Sequence, residues 1–241
     1  MASLTLEPIQ EDTFSKFESM ITIKFVDQSD ESKPSEEIRV HRGLITQYSG
    51  YFRAALEKDN FQEGKTGIVE LELKEFNPFK MFLVWLYERS MLRGSYTEPT
   101  DPCITLLKTM NKDEDNKASQ LVFRYVKAWV LGDMRQAPAY QNWIMHLLVA
   151  AAKDVGFWVN KDAVQYAYDH TLPGSPLRKY LVDVRAAERT PKPQTFDEQD
   201  PQYQDHPKSF TEELVVLLLT KSGGAAPNYR YDPTLYLQKV E

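Results

Sequence analysis

One cysteine, Cys103, stands in a chain of 241 residues. A lone thiol excludes an intrachain disulfide framework and fits a reducing compartment, so the expected location is intracellular, in cytoplasm or nucleus. Histidine is scarce as well: His41, His146, His170 and His206 are the whole set. No two of them stand at metal-ligand spacing and Cys103 has no cysteine partner, so no zinc-type signature is present. A cysteine nucleophile would need a histidine brought beside it by the fold, and the sequence does not show one there. Phosphate-cradling loops are missing too. Gly223-Gly224 is followed by Ala225-Ala226-Pro227, with no Lys-Ser/Thr pair, and reads as a helix stop. The run Asp113-Glu114-Asp115 lacks the alternating carboxylates and central glycine of a calcium loop and reads as solvated charge. No apolar stretch reaches the roughly 18 residues a membrane-spanning helix needs. The first ten residues carry no basic segment ahead of an apolar one, so no secretory signal is expected. With no basic block and a formal charge of −6, nucleic acid is a poor partner. No cofactor and no metal are expected, and no internal repeat is found.

What is present is a set of short periodic segments. Hydrophobic residues make up 42% of the chain, enough for a core in most of it. Ile21, Ile23 and Phe25 alternate with Thr22 and Lys24, the period of a half-buried strand. A loop rich in Ser, Asp and Glu separates them from Ile38 and Val40, which alternate with Arg39 and His41. The two strands are predicted to pair antiparallel, because no crossover helix lies between them. Leu44, Tyr48, Tyr51 and Phe52 then recur at helical spacing, and Ser49 sits where its hydroxyl caps a second helix. Val69, Leu71 and Leu73 alternate with Glu70, Glu72 and Lys74, giving a third strand with one wet face. Residues 58–67 read as a loop, with the Phe61 ring tucked beneath it and a turn at Glu63-Gly64. Asn77-Pro78 is predicted to start a helix, Asn as N-cap and Pro at N1, with Phe79, Phe82, Leu83, Leu86 and Tyr87 on its core face. His41, at a strand end, is assigned a structural role: one ring hydrogen bond and a buried carbon edge.

Val40-His41-Arg42, then Leu44, then Ser49-Gly50-Tyr51-Phe52-Arg53-Ala54-Ala55-Leu56, and later Phe82-Leu83-Val84-Trp85-Leu86-Tyr87, together resemble the BTB/POZ domain family. The stretch Ser175-Pro176-Leu177-Arg178-Lys179-Tyr180-Leu181-Val182-Asp183 is similar to a segment common in the fungal branch of that family. The likeness is close over about a third of the chain. It implies an α+β fold, a three-stranded sheet flanked by helices and followed by an all-α extension. It also implies protein–protein association without catalysis, commonly as a homodimer and sometimes as an adaptor of a cullin-3 ubiquitin ligase. The dimer interface it points to is Phe14, Phe17, Ile21, Ile23, Leu44 and Tyr48. The cullin-facing surface it points to is Phe79, Lys80 and Met81. His41, Ser49, Phe52 and Tyr87 are its structural positions. Two departures stand out. The region before the first strand is short and weakly amphipathic, with Ser19-Met20 where the family usually has an Asp. Phe79-Lys80-Met81 also lacks the Glu of cullin-binding members.

Beyond residue 92 periodicity lapses and then returns. Residues 93–119 read as a solvated insertion. Val122, Tyr125, Val126, Trp129 and Val130 form one helical stripe, ended by Gly132 and Pro138. Ile144, Leu147, Leu148, Ala151 and Val155 form a second. Asn160 is positioned to cap a third helix, with Ala163, Tyr166, Ala167 and His170 on one face. Pro173-Gly174-Ser175-Pro176 reads as turn, N-cap and N1 proline before Leu177, Tyr180, Leu181 and Val184. Residues 189–208 hold four prolines among polar residues and read as a linker. Ser209-x-x-Glu212 has the form of a capping box ahead of Leu214, Val215, Leu218 and Leu219. That short apolar helix must dock, on its own chain or in a partner's groove. The expected organisation is an N-terminal arm (1–18), a BTB/POZ-like domain (19–155), a helical extension (156–188), the linker, and a C-terminal helix and tail (209–241).

Overall fold

The computed structural model describes residues 15–30, 32–57, 61–91, 118–155, 161–188, 206–220 and 232–240. Phe14, Cys103, Asn160, Gly223 and Gly224 lie outside the described residues, as do nearly all of the arm, the insertion and the linker. The chain divides into two units, Met1–Asn77 and Pro78–Glu241, so the boundary falls inside the span 19–155 expected to be one domain. The class is α+β: the described residues form a three-stranded mixed sheet and several helices.

In the first unit β1 (Met20–Val26) is central, with β2 (Glu36–His41) antiparallel on one side and β3 (Ile68–Glu72) parallel on the other. The antiparallel pairing expected from the short connection is present, with Ile21 opposite Val40 and Ile23 opposite Ile38. On the other side Ile23 meets Val69 and Phe25 meets Leu71, so one register fills one face. Ile21, Ile23, Phe25, Val40, Val69 and Leu71 are all buried there. Lys24 and Glu70, on the wet face, are paired in register with an N–O distance of 3.5 Å. Glu70 is exposed and Lys24 partly so, and the pair adds less than about 1 kcal/mol.

A parallel β3 requires the chain to cross β1, and three short helices carry it: α1 (Arg42–Tyr48), α2 (Gly50–Ala55) and α3 (Gln62–Thr66). Ser49 is the predicted cap; it is fully buried and its Oγ accepts from the Phe52 N–H at 3.3 Å. The carbonyls left open at the end of α1 are met by one side chain, since Arg53 donates from Nε to Thr46 O at 3.1 Å and from Nη2 to Gln47 O at 3.2 Å. Arg42 donates to the Leu56 carbonyl at the end of α2. Gly43 is needed because a Cβ there would stand 2.8 Å from the Lys16 Cα, where the incoming chain crosses α1. The expected loop at 58–67 is partly helical, and Phe61 is 53% exposed rather than tucked in. The turn there is made by Gly67, in the left-handed region at φ 68°.

Next, α4 (Phe76–Met91) starts one residue ahead of Asn77, continuing a 3-10 turn over Leu73–Glu75. Asn77 is therefore not the N-cap. Pro78 is tolerated because first-turn N–H groups have no intrahelical acceptor. The second unit holds the rest of α4 with α5 (Ala118–Met134), α6 (Pro138–Val155), α7 (Lys161–His170), α8 (Pro176–Glu188) and α9 (Lys208–Thr220). Its core includes an aromatic cluster: the Phe82 and Trp85 rings lie 5.0 and 5.4 Å from that of Tyr140. The stripe Val122, Tyr125, Val126, Trp129 and Val130 is buried as the spacing predicts.

Gly132 does not end α5. It lies inside the helix, where a Cβ would come within 2.7 Å of Gln141 Cγ and 3.0 Å of Tyr140 Cδ1. The stop is Gln136, at φ 50°, with Ala137 N–H on Gly132 O and Gln136 N–H on Asp133 O. That is a Schellman closure with glutamine where glycine is usual. In α7 the buried residues are Ala163, Val164, Ala167 and Tyr168, not the face through Tyr166 and His170. The turn before α8 is as expected, with Gly174 at φ 81° and Ser175 Oγ accepting from Leu177 N–H at 3.2 Å. Helix α9 begins at Lys208, which places Ser209 inside its first turn rather than at the cap.

Candidate functional site

The residues expected at an interface are distributed unevenly between surface and core. Ile21, Ile23 and Leu44 are at most 3% exposed, because they fill the first unit's own sheet face and helix pair; they belong to the core, not to an offered surface. Phe17 and Tyr48 are half-buried, and the Phe17 ring stands edge-on to His41 at 5.1 Å. Of the cullin-facing trio, Phe79 and Met81 are buried and only Lys80 is partly open. Phe52 is buried and Tyr87 half-buried. Among the described residues no group of three His, Cys, Asp or Glu side chains is placed to hold a metal ion. No described helix is long and apolar enough to cross a membrane.

Polar side chains converge instead where the last two described segments meet the helical unit. The first convergence docks α9. Phe210 and Leu214 are buried, and the Phe210 ring lies edge-on to Tyr168 at 5.7 Å. Tyr168 donates to Glu213 Oε2 at 2.8 Å. Burial, and then the Glu213 carboxylate, push the Tyr168 hydroxyl well above the usual phenol range, so it stays a donor. Arg178 stands over the same ring at 4.3 Å and donates to the Tyr168 carbonyl at 2.8 Å, to Thr171 Oγ1 at 3.0 Å and to the Thr171 carbonyl. One guanidinium thus closes the end of α7 and stiffens the wall that α9 rests on. The docked helix still leaves Val215, Val216 and Leu219 at 46, 61 and 70% exposure. Beside them a cleft of about 450 Å³ opens between α8 and α9, lined by Val182, Val216, Leu217, Arg178 and Thr220 among others.

The second convergence holds residues 232–240. Asp232 caps a short 3-10 turn, Pro233–Tyr236, by accepting from Thr234 N–H at 3.0 Å. The Tyr236 side chain is 1% exposed, edge-on to Tyr180 at 5.2 Å, with its hydroxyl donating to Asp183 Oδ2 at 3.1 Å. Two residues on, the Asn142 amide reads the backbone of Gln238 from both sides. Its Nδ2 donates to the Gln238 carbonyl at 2.9 Å and its Oδ1 accepts the Gln238 N–H at 2.6 Å. Tyr180, beneath the anchor, donates to the Leu148 carbonyl at 2.9 Å and ties α8 to α6. None of Asn142, Asp183 and Tyr236 is marked by periodicity or spacing, so reading the sequence missed them as a site.

No protein-family model, curated protein or solved structure matches the chain.

Proposed function

We propose that this protein is a non-catalytic protein-association module of the BTB/POZ type that self-associates. One observation carries the reading. A strand ending Val40-His41 runs directly into α1, and Ser49 then caps α2 against Phe52, the order of elements that the resemblance implies. The exposed apolar residues on α9 agree with it, because such faces on a folded chain mark contact with other polypeptides. The contact surface is sought around Phe17 and Tyr48, since Ile21, Ile23 and Leu44 are spent on the core. Burial of Phe79 and Met81 leaves Lys80 alone of the cullin-facing trio partly open, which speaks against docking of a cullin there. Light scattering of the full chain at micromolar concentration is the test. A dimer supports the reading. A strict monomer that also captures no protein from a matched extract overturns it.

A further inference from the structure

Asn142, Lys179, Tyr180 and Asp183, on α6 and α8, form a receiving site for a short peptide segment, and we infer that residues 232–240 are its ligand in cis, exchangeable for the same segment of a second copy. The inference does not depend on residues 38–87, and it goes beyond the association proposed above by naming a surface and its occupant. Three features separate this contact from ordinary core packing.

The first is that the recognition is of main chain. A side-chain amide spending both its donor and its acceptor on the N–H and C=O of one residue, Gln238, reproduces the pairing of a neighbouring strand. Asn142 is 7% exposed, so the helix keeps a buried amide whose Nδ2 and Oδ1 both bond the segment. A purely apolar lid would not require it.

The second is a single deep anchor with an exposed rim. Tyr236 is buried with its hydroxyl on Asp183, while Leu235 and Val240 on either side are 39 and 56% exposed. An aromatic anchor in a pocket, flanked by residues that contribute little, is how short peptides are held. Lys179 Nζ lies 3.4 Å from the Leu235 carbonyl and 5.5 Å from the Tyr236 ring, adding a cation beside the same anchor.

The third is that the segment closes its own turn. Asp232 Oδ1 accepts from both the N–H and the hydroxyl of Thr234, so the 3-10 turn that presents Tyr236 is set by local bonds. A ligand that carries its own bound conformation loses less entropy on docking. The chemistry the site selects is thus a 3-10 turn ending in tyrosine, followed two residues on by a backbone amide left to pair.

The test uses the full chain and a fluorescein-labelled synthetic peptide of residues 231–240. In the Tyr236→Ala variant the cis segment loses its anchor, and the labelled peptide is expected to bind at least tenfold more tightly than it binds the wild-type chain, where the cis segment competes. Adding Asn142→Ala to that variant is expected to return binding to the wild-type level or below. Equal binding by wild type and Tyr236→Ala, or no binding by a variant that circular dichroism shows to be folded, overturns the inference. Should Tyr236→Ala unfold, a wild-type chain cut by a protease at a site inserted within residues 221–231 decides the matter. Exchange of the cut segment for labelled peptide on a still-folded body supports it; unfolding of the body when the segment leaves shows the segment to be core and overturns it.

Discussion

In the sheet unit Ile21, Ile23 and Phe25 stand two residues apart and all three are buried, whereas in α7 of the helical unit Ala163, Val164, Ala167 and Tyr168 are buried although Tyr166 and His170 have the same i, i+3 and i+7 relation to Ala163. The difference lies in what each element can choose. A strand has two faces, so a slip exposes every apolar side chain at once, and the alternation leaves one answer. A helix can turn about its axis by small steps, and the neighbour decides which stripe faces inward. In α7 the buried stripe is rotated by roughly 80° from the one its apolar spacing suggested, at 3.6 residues per turn. Tyr168 is drawn inward because Glu213 accepts from its hydroxyl and Phe210 meets its ring, and both belong to a segment more than 40 residues later. Tyr166 is left to stack on His170 at 4.1 Å outside the core.

That contrast can be broken or sharpened by mutation, and the largest effect is expected in the aromatic cluster. Phe82→Ala removes a ring packed against Tyr140 and Trp85 and should cost about 3–5 kcal/mol, read from urea unfolding of the full chain. A loss below about 1 kcal/mol would mean that the cluster is not a core. Gly43→Ala comes next in the sheet unit. Its Cβ would meet backbone at 2.8 Å, so the chain at Lys16 must move, at a cost of about 1–3 kcal/mol. Ser49→Ala leaves the Phe52 N–H without its cap in a buried place and should cost about 1 kcal/mol. Gln136→Gly has the opposite sign. It relieves a left-handed φ of 50° and should raise stability by about 0.5–1 kcal/mol, measured as a higher urea midpoint with unchanged slope. If it lowers stability, the Schellman closure owes more to the glutamine side chain than to its backbone.

The smallest effect is electrostatic. The Lys33 ammonium, then the hydroxyl and N–H of Ser29, hold the Asp27 carboxyl well below the usual carboxylate range. A carboxyl whose folded value is depressed contributes stability above its unfolded value of about 3.9, and loses that contribution as pH falls through the lowered value. An NMR titration should therefore find Asp27 still ionised at a pH of about 3.9, the ordinary carboxyl midpoint, and Lys33→Met should bring its own midpoint back up. A wild-type midpoint at the ordinary value would show that the turn is open in solution.

How much of this was readable in advance follows from sequence distance. The Ser49 cap, the Pro173–Pro176 turn and the β1–β2 pairing rest on residues within one or two elements of each other, and local chemistry settles them. Asn77, Gly132 and Ser209 were misplaced because a 3-10 turn, a close helix crossing and an earlier helix start changed what each residue had to do. Asn142 and Gln238 are 96 residues apart and carry no periodic signal, so their pairing exists only in the fold. Alternation marks Ile21 and Ile23 as apolar, and the same alternation places them inside the sheet's buried face.

Sedimentation velocity over a dilution series of the full chain bears most directly on self-association. The expected result is a species of twice the 27.9 kDa monomer that gives way to monomer on dilution, weakened by Tyr48→Arg without loss of fold. A single 27.9 kDa boundary at every concentration, indifferent to that substitution, contradicts it.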